Sequence, residues 1–312
     1  MSQLPKAFLQ RLALLAGLIV VAFFVHENLQ HTDDESIFGR AWQFLREVLS
    51  GHLGYTLDGR PLLSEFLERL PSSLILLVLA TMVAWAIGLP LAVTFAAQKY
   101  QQRRRHAELI TGILMSLPVF WIGQILLMTA ATQAGWLPLG GELSWVYEVP
   151  SVTGVALIDA ILSHPEHKWE IIWDAITHLV LPVSVMALAP TAYLLQEFGA
   201  QMERISQMPF ILVAKARGIT QRQLIWGHLL PNAMFPVLKG LRVQFALLVS
   251  NLIIVETLFL WPGVGSWLVE LVKKQETQTI PGLIILFGIF VLVLNSITEL
   301  LQHFWDPERR RL

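Results

Sequence analysis

Six apolar runs along this chain approach or exceed the roughly 20 residues that carry a helix across a bilayer. They cover Phe8–Val25, Ser72–Ala97, Leu109–Ala134, Leu179–Phe198, Val243–Leu260 and Gly282–Phe304. Only 14% of the residues are charged, where a soluble domain carries about a quarter, and mean hydropathy is +0.58. These runs predict an all-α membrane protein of six transmembrane helices. A net charge of −1 gives no footprint for nucleic acid, and the absence of cysteine excludes disulfides, thiolate metal sites and cysteine nucleophiles.

Orientation follows from the basic residues beside the runs, because positive loops stay on the cytoplasmic side. Of the 22 Lys and Arg, 15 fall in one set of segments, including Lys6, Arg103, Arg104, Arg105, Lys215, Arg217, Arg222 and Arg309. The other 7 are Arg40, Arg46, Arg60, Arg69, Lys168, Lys273 and Lys274. Both termini are therefore expected in the cytoplasm. The first run has a signal-like flank, Lys6 and Arg11, but exits through AFFVHENL with no small-residue cleavage site, so it reads as an uncleaved helix.

Between the first two runs, Thr32 and Glu35 form a capping-box pattern. Ile37, Phe38, Ala41, Trp42, Leu45, Val48 and Leu49 follow at helical spacing until Gly51. This predicts an amphipathic helix on the outer membrane surface or on the bundle. The external stretch 135–178 contains Val155–Leu162 and Trp169–Ile176 as short amphipathic helices, which predicts a folded periplasmic cap. The organisation is then a first helix with its periplasmic segment (1–71), a transmembrane domain (72–304) and a short cytoplasmic tail (305–312). Gly88, Pro90, Pro118, Pro182 and Pro190 interrupt the runs, as membrane helices tolerate when neighbours satisfy the freed carbonyls.

The cytoplasmic segment 209–231, PFILVAKARGITQRQLIWGHLLP, reads as a compact helical hairpin. Ala214 and Ala216 lie in its first helix, and Gly218 falls where a helix-ending residue takes a positive φ. Thr220 caps the second helix with Gln223 three residues on, and Leu230-Pro231 closes the unit against the next run. A rigid, small-surfaced hairpin at this face suits presentation to a partner. Arg217 and Arg222 are placed to pair with acidic groups there.

The hairpin resembles the EAA loop of ABC-importer permeases, with Gly218, Leu230 and Pro231 at the family spacing and Ala214 at its last alanine. The motif's glutamate position holds Leu212 and its isoleucine holds His228. The likeness to the dipeptide/oligopeptide/nickel permease family runs from end to end: GHLGYTLDGRPL (Gly51–Leu62), LPSSLIL (Leu70–Leu76), SLPVFWIGQILL (Ser116–Leu127), WLPLGG (Trp136–Gly141), VETLFLWPGVG (Val255–Gly265) and DPERR (Asp306–Arg310). Tyr147–Ser163 and Leu188–Thr191 resemble the Sap-type branch, associated with antimicrobial-peptide sensitivity and peptide uptake. Where family members carry two arginines at the end of the fourth span, this chain has Gln196 and Gly199.

The resemblance implies a type I importer permease in the bacterial inner membrane, carrying peptides, or alternatively nickel or a small solute such as a polyamine. It implies a second homologous permease, two ABC ATPase subunits, a periplasmic solute-binding protein and contact with membrane lipids. ATP and Mg are expected on the ATPases, because no Gly-Lys dipeptide occurs here and a Walker loop is therefore absent. No catalytic residue, metal site or cofactor is expected in this chain. An ion-coupled secondary transporter is the rival class; the inverted repeats and charged, broken midplane helices typical of it are not evident.

Glu256, near the outer end of its run, is expected to reach water or to cap the turn formed by Trp261, Pro262, Gly263 and Gly265. The second role, anchoring that turn, is the favoured one over proton coupling. His164, Glu166 and His167 offer metal-ligand types, but Pro165 interrupts a common helical face. Trp121, Trp136, Trp261, Trp267 and Trp305 fall near span ends and read as interfacial anchors.

Overall fold

The computed structural model describes residues 4–29, 36–96, 109, 111–163 and 167–305. Among these the chain is helical almost throughout, with one isolated antiparallel bridge between Tyr55 and Pro61. In chain order the helices are α1 (Leu4–Leu29), α2 (Ile37–Leu49), α3 (Leu62–Ala96), α4 (Val119–Leu126), α5 (Ala156–Leu162) and α6 (Lys168–Ser206). They continue as α7 (Pro209–Ala216), α8 (Gln221–Leu224), α9 (Leu230–Lys239), α10 (Leu241–Leu258), α11 (Val264–Lys273) and α12 (Ile280–Trp305).

The core is the crossing of α3 and α6, the most extensive helix pair among the described residues. Ala80 and Ala84 of α3 are fully buried, and a Cβ on Gly88 would lie 3.1 Å from Cβ of Leu194 on α6. Small residues thus bring the two backbones together where lipid offers no hydrophobic drive between helices. Trp85 stands edge-on to Phe198 of α6, centroids 6.0 Å apart, and its Nε1 donates to Gln244 Oε1 of α10 at 3.0 Å. Helix α10 packs on α6 and α4, α11 folds back along α10, and α1 lies on α12.

Among the described residues, five helices are long and apolar enough to cross a membrane. The run Leu109–Ala134 is not one continuous helix. Residues 111–116 are helical, the chain opens at Leu117 and Pro118, and α4 then widens into a π turn over Leu127–Gln133. Pro118 has no N–H to donate and pushes Leu117 out of the helical region; Pro118 itself is extended, at ψ 129°.

Two helices outrun their apolar cores. Helix α3 begins at Leu62 rather than Ser72, and α6 begins at Lys168, absorbing the short helix expected at Trp169–Ile176. At 35 and 39 residues they reach roughly 52 and 58 Å at 1.5 Å per residue, against a hydrocarbon core of about 30 Å. Their surplus turns form part of the non-membrane structure. The expected helix Val155–Leu162 is present as α5. The capping box expected at Thr32 and Glu35 lies outside the described residues; Ser36 caps α2, its Oγ accepting from Gly39 N at 3.3 Å.

Candidate functional site: the helical hairpin and the glutamate turn

The hairpin of α7 and α8 is held by local hydrogen bonds that its sequence specifies. Pro209 occupies the first turn of α7, where its missing N–H costs nothing. The helix ends in a Schellman motif: Gly218 N donates to Lys215 O at 3.0 Å and Ile219 N to Ala214 O at 3.4 Å. Gly218 takes φ +77°, the left-handed value expected of it. Thr220 caps α8 reciprocally, its Oγ1 accepting from Gln223 N at 3.4 Å while its own N donates to Gln223 Oε1 at 3.1 Å.

The second helix does not close at Pro231. After α8 the backbone widens into a π turn over Ile225–Leu229, Leu230 N donating to Ile225 O, and continues through Pro231 to Lys239. Pro231 has no N–H for Gly227 O and its ring would crowd that carbonyl; the wide turn absorbs the mismatch. Pro231 therefore sits in the first turn of α9, and one helical column leads from the hairpin to α10.

The hairpin has two faces. Ile211, Ala214, Leu224, Ile225, Leu229 and Leu230 are buried in the chain's own core. The small size of Ala214, expected to admit a partner, serves this internal packing instead, since only 6% of the residue is exposed. Ala216, Arg217, Gly218, Thr220, Arg222 and Pro231 face outward. Leu212, Val213 and Trp226 are also 56%, 52% and 58% exposed.

At the far end of α10 the chain makes a second tight structure, this one buried. Leu260 takes φ +51° and Trp261 N donates to Glu256 O at 2.8 Å, again a left-handed helix ending. Trp261, Pro262 and Gly263 then lead into α11. Glu256 is wholly buried and reaches no water. Its Oε2 accepts from Gly265 N at 2.7 Å and Ser266 N at 3.0 Å, in the first turn of α11. Those N–H groups have no intrahelical acceptor, and the helix dipole favours an anion there. Oε1 accepts from Ser73 Oγ at 2.6 Å, and Ser73 Oγ accepts from Val264 N at 2.9 Å. Trp261 Nε1 donates to Ser72 O at 2.9 Å.

Gly263 and Gly265 are required by space. A Cβ on either would run into the Glu256 carboxylate, and one on Gly265 would also stand 2.8 Å from Ile253 Cα. Next to this knot, Ser72 Oγ donates to Glu142, whose other oxygen accepts from Ala156 N at 3.3 Å at the start of α5. Burial pushes the Glu142 carboxyl above its ordinary range.

Sequence reading found Glu256 and its turn but missed Ser72, Ser73 and Glu142. The one signal for the serines was their adjacency after Pro71 inside an apolar run, a place where a hydroxyl needs a partner. Two tryptophans differ from expectation. Trp261 and Trp267 are 2% and 5% exposed, inside the protein rather than at an interface, and Trp267 lies 4.8 Å beneath the Arg69 guanidinium. Trp121 and Trp136 are exposed. His167 lies 3.5 Å from exposed Glu170, while His164 and Glu166 fall outside the described residues.

Residues 87–311 match the family described as the binding-protein-dependent transport system inner membrane component. The chain belongs to this family. It is 29% identical over 310 residues to the peptide transport system permease protein SapB of Salmonella typhimurium, covering 97% of each chain. The putrescine export system permease protein SapB of Escherichia coli K12 is 28% identical with the same coverage. The di/tripeptide transport system permease protein DppB of Pseudomonas aeruginosa is 29% identical over 279 residues, 89% of this chain and 82% of that one. As a family member, the chain is an inner-membrane permease component of an ABC transport system.

Proposed function

We propose that this permease carries peptides inward as one half of a translocation pathway, the other half coming from a second, non-identical permease. Six spans, both termini in the cytoplasm, complete the reading; the sixth is the interrupted stretch that includes α4. Two ATPase subunits bind ATP and Mg, and a periplasmic solute-binding protein delivers the substrate. Relatives named as peptide permeases, similar over nearly the whole chain, support this substrate class.

The observation that carries the coupling role is the hairpin's division into a packed face and an apolar outward face. Its Schellman ending and reciprocal cap make it rigid, and its inner face is seated in the core. Exposed Leu212, Val213 and Trp226 are left for a partner to cover, and exposed Arg217 and Arg222 of the same hairpin to pair with acidic groups. A push on that face moves α8, the π turn and α9 as one column against α6, and passes through Gly240 into α10. Glu256, at the other end of α10, then feels the movement at its turn.

Gly218→Leu tests the assignment. The variant inserts in the membrane but loses ATPase co-purification and substrate-stimulated hydrolysis, whereas Gly218→Asn, which tolerates the left-handed region, retains both. Normal assembly and coupled transport by Gly218→Leu would refute the role. Reporter fusions at Leu312 check the orientation.

The name of the Escherichia coli K12 relative favours a second reading, a polyamine as cargo. Labelled di- and tripeptides and labelled putrescine, supplied to a strain lacking this chain and to the complemented strain, separate the two. Peptide accumulation restored by complementation supports the first; altered putrescine flux alone supports the second.

A further inference from the structure

Helix α2 has more apolar surface than the described residues cover. Its Phe44 is buried, its ring centroid 5.9 Å from that of Phe23 and 5.1 Å from that of His26 at the C-terminal end of α1, both rings tilted to it. Arg40 Nε donates to Glu27 Oε2 at 3.0 Å, pinning the same face of α2 to the same end of α1. At 100° per residue, Phe44, Val48 and Ala41 define this protein-facing sector.

A second sector adjoins it. Phe38, Trp42 and Leu49 project within about 40° of one another on the helical wheel and are 84%, 68% and 76% exposed. Gln43, Arg46 and Glu47 make the remaining, polar sector and are exposed. A helix in water needs two faces; this one has three. Its apolar arc turns without a break from the side resting on α1 to a side that none of the described residues covers.

What lies beside α1 decides the occupant. Val20, Val21 and Phe24 of α1 are 52%, 54% and 56% exposed within a helix long and apolar enough to cross a membrane, a surface suited to lipid. Because α2 is pinned at Glu27 and His26, where that span ends, it lies at the level of the headgroups. We infer that α2 is an interfacial helix whose Phe38, Trp42 and Leu49 insert into the adjoining leaflet, the third sector facing water. A tryptophan at this depth has its preferred setting, apolar ring in the acyl boundary and N–H toward the headgroups. Arg46, on the border between the lipid and water sectors, is placed to extend toward phosphate. The helix then works as a float: it sets the depth of α1 and holds the loop 50–61, which follows it, at the membrane surface.

The absence of cysteine makes the test direct. Single cysteines replace Phe38, Trp42, Leu49, Gln43 or Glu47 in the full chain, all at exposed positions, each carrying a nitroxide. The protein is purified with its bound subunits into nanodiscs of phosphatidylethanolamine and phosphatidylglycerol. Power saturation compares collision with oxygen, which concentrates in lipid, and with a water-soluble nickel chelate. Positions 38, 42 and 49 should show an oxygen-to-nickel ratio several-fold above positions 43 and 47, at a depth of about 5–10 Å. Nickel accessibility equal in the two groups would put the whole outer face in water and overturn the inference. Poor access of both agents to 38, 42 and 49 would mean a protein partner covers them, and would overturn it equally.

Discussion

The hairpin and the glutamate turn terminate helices in the same way and for opposite ends. Each places a residue in the left-handed region after a helix, Gly218 at φ +77° and Leu260 at φ +51°. In the hairpin, glycine is needed for its backbone conformation, since a Cβ on Gly218 would meet nothing within 4 Å. In the turn, a leucine takes that conformation, while Gly263 and Gly265 are needed because the Glu256 carboxylate occupies the space. The turn satisfies itself: acid, serine and helix N-terminus are all buried and paired within the chain. The hairpin pairs its backbone and buries one face, but leaves Leu212, Val213 and Trp226 exposed. One is a finished structure; the other is a fitting.

Substitutions can break that contrast. The largest effect is expected from Glu256→Leu, which strands Gly265 N–H, Ser266 N–H and Ser73 O–H, each unmade bond costing about 1–3 kcal/mol. Thermal unfolding in detergent should drop sharply, and a loss no larger than that of a surface mutation would mean the turn is not self-sustaining. Gly265→Ala comes next, at about 1–3 kcal/mol for a methyl forced against backbone. Gly218→Ala, with open space around it, should cost about 1 kcal/mol through φ alone. Unfolding temperatures of the two variants side by side check the order.

Leu260→Gly works in the other direction. Relief of the left-handed strain, about 1–2 kcal/mol, outweighs the added freedom of glycine at about 0.5–1 kcal/mol, so the melting temperature should rise slightly. A fall would show that Leu260 is held by contacts its 73% exposure does not suggest.

The smallest effect concerns pH. Burial raises the Glu142 carboxyl, so the fold favours its protonated form. The stability this group contributes is complete below the ordinary carboxylate pKa and is lost as pH rises through the raised value. Wild-type protein should therefore lose more stability than Glu142→Gln between mildly acidic and neutral pH. Parallel melting curves over that range would remove Glu142 from the account.

Much of this was legible in the sequence. Five of the six apolar runs stand as helices fit to span a membrane, and Gly218, Thr220 and Gln223 adopt the backbone their types prefer. These features are local: hydrophobic length, a positive φ and a capping side chain act over a few residues, so their neighbours in sequence are enough to specify them. Pro118 was visible too, but whether a proline kinks or opens a membrane helix depends on what surrounds it.

Other features were decided only by tertiary structure. Ala214 looks the same in sequence whether it faces a partner or its own core, and the packing of the hairpin turned it inward. Trp261 and Trp267 sit at span ends by count, yet the folding of α11 along α10 buried both. Ser73 and Glu256 stand 183 positions apart, and Ser72 and Glu142 stand 70 apart. Helical period and capping rules carry no information over such distances. Those pairs exist because α3, the end of α10 and the loop that holds Glu142 meet at one place, where a buried carboxylate must find its donors.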